Sequence, residues 1–436
     1  MTETILVITL EMIPYIQNWG GCQRMYFLSE FLQKNGFNII VVHLKSNFYN
    51  MFDKKISFQT VPIEIDCIAK QNKEICEVFP KNECIGKYIK FCKHLISRGF
   101  LSIENLTYNE IDSYQGKRGR QLIDMSKEEL LGIIKCNKIE TAIISGPPFS
   151  LFSIVNYLKD NISGFKVILD YRDPWNLWNK GNMISRNREQ FYLGLADQIV
   201  FINERLRDDT IDLFHLDRNK CDVVLNGYSE EDWQEVIKEH RKPSSERGRL
   251  IISYIGNISF ERGSFRDLST FWSAFERFNH KEEMTIKFIG PDISTGASKL
   301  KNRFDNSVEF ISKVAHKQSL SYMLDSDILF LVHTDDRSAK YIMTGKLFDY
   351  VRSGKVILGI ASSSDTYFLN LIKMYHLGIT SLNTEDCILD VLNLIYSKWK
   401  EGNLQDLRND SKEDFNKFSR DNQNEGYIKL IENLHD

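Results

Sequence analysis

What the chain lacks narrows its nature first. No apolar run approaches the roughly 20 residues that a membrane-spanning helix needs. The early stretch Ile5 to Leu10 is short and has no basic flank of the kind that opens a secretory signal. The expectation is a soluble, cytoplasmic protein whose first apolar run is a buried strand. A charge excess is missing too: 56 Lys and Arg stand against 59 Asp and Glu, a formal net charge of -3. A protein that grips a phosphate backbone normally carries a basic excess, so nucleic acid is not an expected partner. The eight cysteines (Cys22, Cys67, Cys76, Cys84, Cys92, Cys136, Cys221, Cys387) include no CxxC pair, and the spacing of Cys76, Cys84 and Cys92 fits no common zinc site. They read as reduced thiols packed as small apolar residues.

What is present points to two domains. The 436 residues exceed what one core usually supports. Short runs rich in Val, Ile and Leu, with little polar alternation, look like strands buried on both faces of a parallel sheet. They fall at Ile5–Leu10, Asn38–Leu44, Thr141–Ser145, Lys166–Asp170, Gln198–Ile202 and Asp222–Leu225, with helical stretches such as Gln23–Lys34 and Ser126–Lys135 between them. The polar, proline-containing segment Lys238 to Arg249 reads as a linker. A second series follows, with strands at Leu250–Ile255, Thr285–Ile289, Val308–Phe310, Ile328–Val332 and Val356–Ile360, and helices starting near Phe265, Gln318 and Lys346. The expected fold is α/β, with two doubly wound Rossmann-like domains facing each other across a cleft. Their expected bounds are 1–240, with an insertion at about 48–126, and 250–410, with a helical tail at 411–436 packing back on the first domain. Within the insertion, Lys87, Lys90, Lys93 and Arg98 alternate with Tyr88, Ile89, Phe91, Leu95 and Ile96 at helical spacing. That pattern suits either a surface helix or a basic amphipathic helix touching an anionic membrane or a lipid-linked acceptor.

Four constellations stand near strand ends, where open α/β sheets bind ligands. Trp19-Gly20-Gly21-Cys22-Gln23-Arg24 reads as a strand-to-helix loop in which glycine lets backbone approach a ligand or simply makes the turn. Asp170-Tyr171-Arg172-Asp173-Pro174-Trp175 places two carboxylates and a guanidinium at a strand exit, as a wet functional cleft or as an internal pair fixing the loop. Tyr254-Ile255-Gly256-Asn257 with Glu261-Arg262-Gly263 can hold a diphosphate by charge and backbone N–H groups. Thr344-Gly345-Lys346-Leu347-Phe348-Asp349-Tyr350 opens a helix with Lys346 beside its start and Asp349 about a turn further on, suiting phosphates and ribose hydroxyls respectively. It lacks the GxxxxGK spacing of a Walker loop.

In order and spacing, these pieces resemble the "group 1", or family four, class of retaining GT-B glycosyltransferases. SGPPFS at Ser145–Ser150, VVLNGY at Val223–Tyr228, FIGP at Phe288–Pro291, DSDILF at Asp325–Phe330 and TGKLFDYVRSGK at Thr344–Lys355 complete the likeness, which spans nearly the whole chain. The resemblance implies that Gly20, Gly21, Gly256 and Asn257 face the donor, that Arg262 neutralises the leaving diphosphate, and that Thr344, Gly345 and Lys346 lie beside the phosphates. It also implies that Asp349 accepts from the ribose hydroxyls and that Arg172 and Asp173 line the acceptor side. Two departures stand out. Tyr341 occupies the position, eight residues before Asp349, where the first acid of the family's paired-acid motif normally sits, and the family's cleft histidine near SGPP is absent.

The dominant demand in sugar transfer from a nucleotide is stabilising the leaving diphosphate. Asp325-Ser326-Asp327 resembles a metal-binding carboxylate pair, but it precedes a strand instead of following one and reads as a helix end. Arg262, Lys346 and helix dipoles are therefore expected to act in place of a metal, with Asp173 or the leaving phosphate as base. No cofactor is expected beyond a UDP- or GDP-sugar donor. The acceptor is open among glycan, lipid-linked, protein and small-molecule classes, in bacterial glycan or glycoconjugate biosynthesis, with peripheral contact at the inner membrane face as one possibility. The alternatives are a catalytically silent GT-B subunit that activates a partner enzyme and a sugar-nucleotide epimerase.

Overall fold

The computed structural model describes residues 3–16, 19–45, 55–64, 114–179, 183–241, 248–256, 258, 266–290, 295–304, 307–334, 339–410 and 413–435. The basic stretch from Lys87 to Arg98 lies outside them. The chain divides into two compact units, one of Met1–Val223 with Tyr427–Asp436 and one of Val224–Gly426.

In the first unit the described elements are β1 (Thr4–Ile8), α1 (Trp19–Lys34), β2 (Asn38–Lys45), β3 (Gln59–Glu64), α2 (Tyr114–Asn137), β4 (Thr141–Gly146), a 3-10 turn at Phe149–Ser153, α3 (Ile154–Asn161), β5 (Lys166–Tyr171), α4 (Asn176–Asn179), α5 (Met183–Leu195), β6 (Gln198–Phe201), α6 (Glu204–Phe214) and β7 (Cys221–Val223). They form a seven-stranded sheet in the order β3-β2-β1-β4-β5-β6-β7, with every neighbouring pair parallel. The apolar composition of the central strands is explained directly: all six residues of β4 and five of six in β5 are buried.

The second unit holds α7 (Glu230–Glu239), β8 (Leu250–Ile255), α8 (Ser269–Arg277), β9 (Met284–Ile289), α9 (Thr295–Phe304), β10 (Val308–Ile311), α10 (His316–Leu324), β11 (Ile328–His333), α11 (Lys346–Ser353), β12 (Val356–Ala361), α12 (Tyr367–Met374), β13 (Gly378–Leu382), α13 (Glu385–Lys400) and α14 (Arg420–Asn433), whose last turns belong to the first unit. Its six parallel strands run β10-β9-β8-β11-β12-β13. An aromatic core lies under this sheet, with Phe271 stacked on Phe330 at 5.4 Å and Trp272 on Phe304 at 5.2 Å. Counted from its own first strand, the second sheet has the order 3-2-1-4-5-6 and the first the same order followed by a seventh strand, so each reverses beside its first strand, where doubly wound sheets bind ligands.

Two strands escape the sequence reading, both at sheet edges. In β3 the residues are mostly polar or exposed and include Pro62 opposite His43, which an edge strand tolerates because one row of its N–H groups needs no partner. In β13 the strand is short and opens on Gly378. The domain boundary also differs from the expected 240. Helix α7 packs on α10, and residues from Val224 onward join the second unit. The polar stretch at 238–249 read as a linker because it has no apolar period, but the chain changes unit before it, where VVLNGY still looks continuous with the strand β7.

One buried carboxylate ties distant parts of the first unit together. At the end of β5, Asp170 accepts from Arg24 Nε of α1 at 2.9 Å, from Ser145 Oγ of β4 at 2.7 Å and from the Tyr427 hydroxyl of α14 at 2.7 Å. Arg24 also donates to the Tyr427 oxygen at 3.2 Å. Carboxylate and guanidinium are both buried, and a charge left without its partner there is costly.

Asp170→Ala is expected to destabilise the protein by about 3–5 kcal/mol, because it leaves Arg24 charged and buried. Tyr427→Phe should cost only about 1–2 kcal/mol. Chemical denaturation of both variants checks the order, and equal losses would refute it. At Gly378 the backbone has φ +155°, and a Cβ would lie 2.1 Å from the Ile357 carbonyl oxygen. Gly378→Ala is therefore expected to lose at least ~2 kcal/mol, whereas Gly248→Ala, with open space around it, should melt like the unsubstituted protein.

Candidate functional site

At the reversal point of the second sheet, strand ends and a helix start converge. Strand β8 ends on Gly256 (φ +109°) and β9 on Gly290 (φ +105°). The Gly256 N–H donates to the Ile289 carbonyl at 2.6 Å, and a Cβ on Gly290 would lie 3.3 Å from the Gly256 Cα. Side chains are excluded from this backbone approach, which leaves main-chain groups to face whatever binds there. Helix α11 is laid over the end of β8 by two residues one turn apart. Lys346 Nζ donates to the Tyr254 hydroxyl at 3.0 Å and sits 4.1 Å from that ring's centroid, while the Tyr350 hydroxyl accepts from the Ile255 N–H at 3.0 Å. A Cβ at Gly256 would come within 3.0 Å of Lys346 Nζ, so ammonium and glycine backbone are immediate neighbours.

The electrostatics of this corner favour an anion. Thr344 and Gly345 form the lead-in to α11, their carbonyls accepting from Leu347 and Phe348 N–H at 3.1 and 3.2 Å. A helix N-terminus carries partial positive charge and outward-pointing N–H groups. Burial, with the Arg266 guanidinium adding to it, holds the Lys346 ammonium well below the usual lysine range. An anion arriving there would offset that burial and favour the charged form of Lys346. The sequence-derived residues Gly256, Thr344, Gly345 and Lys346 thus come together, while Asn257 and Arg262 lie outside the described residues.

Asp349 is buried on the inner side of α11. Its Oδ1 accepts from the Trp233 indole N–H at 3.1 Å, a contact with α7 across 116 residues of sequence. Burial raises its carboxyl above the ordinary range; His316 and Arg420 oppose that rise and Asp232 adds to it. His316 Nε2 stands 3.8 Å from Asp232 Oδ2. The sequence reading missed Asp232, Trp233, His316 and Arg420. The only local signal was Ser229, whose side chain accepts from the Asp232 N–H at 3.2 Å and starts α7. Tyr341, in the place of the absent first acid, is buried with Lys340 Nζ 4.7 Å from its ring centroid.

In the first unit one expectation needs correction. Gly20 and Gly21 do not form a loop but lie in the first turn of α1. The N–H groups of a first turn have no intrahelical acceptor in any case, so the poor helix propensity of glycine matters least there. Arg172, expected to line the acceptor side, donates to three carbonyls: Gly146 at 3.2 Å, Gly21 at 2.8 Å and Pro147. The DYRDPW loop is pinned from behind as well. The buried Glu189 carboxylate of α5 takes the Tyr171 hydroxyl and the Asn176 side chain, and it accepts from the Asn176 N–H at 3.1 Å. Burial pushes that carboxyl up to about 7. Trp175 stacks on Phe149 with centroids 5.0 Å apart. Held on this rigid loop, Asp173 is pushed up to about 6 by burial, against the pull of Arg172 and with Asp170 adding to the rise.

The carboxylates of DSDILF are committed elsewhere. Asp325 closes α10 with His240 Nε2 at 3.6 Å, and Asp327 Oδ2 accepts from the Ile251 N–H at 2.8 Å. They serve a helix end and a strand start.

No protein-family model matches the sequence, and no curated protein matches it either. Solved structures do match in fold. An α,α-trehalose 6-phosphate synthase from Burkholderia multivorans aligns over 100% of this chain and 97% of its own with TM-score 0.64 at 11% identity. The catalytic domain of starch synthase IV from Arabidopsis thaliana, bound to ADP and acarbose, aligns over 100% and 99% with TM-score 0.58 at 10% identity. An enzyme described as a UDP-N-acetylglucosamine 2-epimerase, from Listeria monocytogenes, aligns over 99% and 96% with TM-score 0.56 at 10% identity. With its two parallel doubly wound sheets, the chain has the GT-B glycosyltransferase fold.

Proposed function

We propose that the chain is a glycosyltransferase that takes a sugar from a nucleotide donor, the diphosphate lying against Lys346, Gly256 and the start of α11. The observation that carries this reading is the single corner where Lys346 Nζ, the glycine-lined strand ends and a helix N-terminus meet at the reversal point of the second sheet. Those are the groups that stabilise a departing diphosphate without bond-making of their own. The ADP held by the starch synthase of like fold adds support for a nucleotide ligand. Arg262 completes the charge set in this reading, Asp349 answers to the ribose, and protein cations act in place of a divalent ion. Transfer proceeds with retention, to a glycan, lipid-linked, protein or small-molecule acceptor, from a UDP- or GDP-sugar. Asp173 serves as the base on the acceptor side. Its elevated carboxyl is ionised above pH 6 yet still basic enough to accept a hydroxyl proton.

A second reading, sugar-nucleotide epimerisation, is favoured by the epimerase of like fold. It needs no acceptor. Incubation with UDP- and GDP-sugars alone, followed by product analysis, separates the two: an epimeric sugar nucleotide made without acceptor would replace the transferase reading.

Binding of UDP or GDP is expected to be coupled to proton uptake at pH values between the depressed Lys346 pKa of the free protein and its higher pKa beside a bound diphosphate. Calorimetry in buffers of different ionisation enthalpy reads this directly. Lys346→Met should abolish the uptake and weaken binding by at least about tenfold; unchanged affinity and proton count would remove Lys346 from the site. For Asp173 the sign runs the other way. A base works as the carboxylate, so transfer should fall as pH drops through about 6. In Asp173→Asn that acid limb should vanish, together with a rate loss on the order of 100-fold. A pH profile still bending near 6 in the variant would assign the limb to another group.

A further inference from the structure

Helix α5 is turned inside out. Its buried face consists of Ser185, Glu189 and Leu193, and Glu189 is held there by Tyr171 and Asn176. On the outward arc Met183 is 76% exposed, Ile184 64% and Phe191 52%, with the exposed Asn187 and Arg188 between them. An amphipathic helix that met only water on that side would place these residues the other way round. Three large apolar side chains gathered on one arc of a surface helix suit contact with something other than water.

Two occupants can be told apart by size and charge. The three apolar side chains expose on the order of 400 Å², taking about 200 Å² for a large side chain. That is half of the roughly 800 Å² per partner which a stable protein pair buries, so a second copy of this chain is poorly matched. A bilayer needs no reciprocal shape. It accepts a few apolar side chains at the boundary of headgroups and acyl chains, and it rewards cations beside them. The charges on the helix suit that partner: Arg188 is exposed on the outward arc, Arg186 lies half-buried at its margin, and Glu189, the only acid of the helix, faces inward. The arginine stem can lie along the apolar neighbours while its guanidinium reaches a lipid phosphate.

We propose that the outward face of α5 docks on an anionic lipid bilayer, with Met183, Ile184 and Phe191 entering the headgroup boundary and Arg188 paired with lipid phosphate. The inference stands on the first unit alone and is independent of the donor site in the second. The test is co-sedimentation of the full chain with vesicles of phosphatidylcholine alone or with a quarter phosphatidylglycerol. The anionic vesicles should retain the chain about tenfold more than the neutral ones at low salt. The double variant Ile184→Ser, Phe191→Ser should lose that retention while melting at the same temperature, because both side chains are exposed. Arg188→Ala should keep weak binding but lose most of the preference for the anionic vesicles. Equal sedimentation of the unsubstituted chain and the double variant would overturn the proposal. A dimer in solution that the double variant dissolves would replace the bilayer with a second copy.

Discussion

A buried carboxylate cannot be left alone, and in the first unit that constraint organises the chain. Asp170 sits at the end of a central strand with no route to water, so its oxygens are matched by a guanidinium and two hydroxyls drawn from α1, β4 and α14. The matching ties α1 and the C-terminal residues to the end of β5. It also fixes the stem of the loop that carries Arg172 and Asp173. The loop is gripped a second time by Glu189 and a third by the stacking of Trp175 on Phe149. Asp173 is thus carried by a segment held on both sides, at Arg172 and at Trp175, and burial holds its carboxyl at an elevated value.

The second unit solves a different problem with the same sheet. Its reversal point is built for close backbone approach, with a lysine drawn over a tyrosine ring, beside two glycines whose strand ends touch. Strand order decides where each sheet can bind, and the side chains at that point decide what. Here one sheet offers an elevated carboxyl and the other a depressed ammonium.

The central strands were legible in the sequence because burial on both faces demands unbroken runs of Val, Ile and Leu, and β8, for instance, spans the residues that its apolar run marks. The edge strands β3 and β13 were not, since an edge is only half covered and tolerates Pro62 and polar residues. The Thr344–Asp349 stretch was legible as a helix start because propensity and glycine placement are local. The partner of Asp349 was not: nothing near Asp349 indicates that an indole 116 residues earlier donates to it. The same holds for Asp170, whose ion pair with Arg24 bridges 146 residues. In Gly20-Gly21 the pattern misled, because paired glycines suggest a loop while the first turn of a helix asks little of its residues. On α5 the pattern was hidden. Met183, Ile184 and Phe191 point outward, and periodicity alone cannot tell which face of a helix meets the core.

The chain changes unit twice, after Val223 and after Gly426. Residues Tyr427–Asp436 therefore belong to the first unit, although they are made after all of the second. On the ribosome the leading domain of a protein usually folds while the next is still being synthesised. Here Asp170 and Arg24 wait for the Tyr427 hydroxyl until all of the second unit has been made. A stop before Tyr427 would spare both sheets yet leave the Asp170–Arg24 pair without its hydroxyl partner, so the damage would appear in the unit made first.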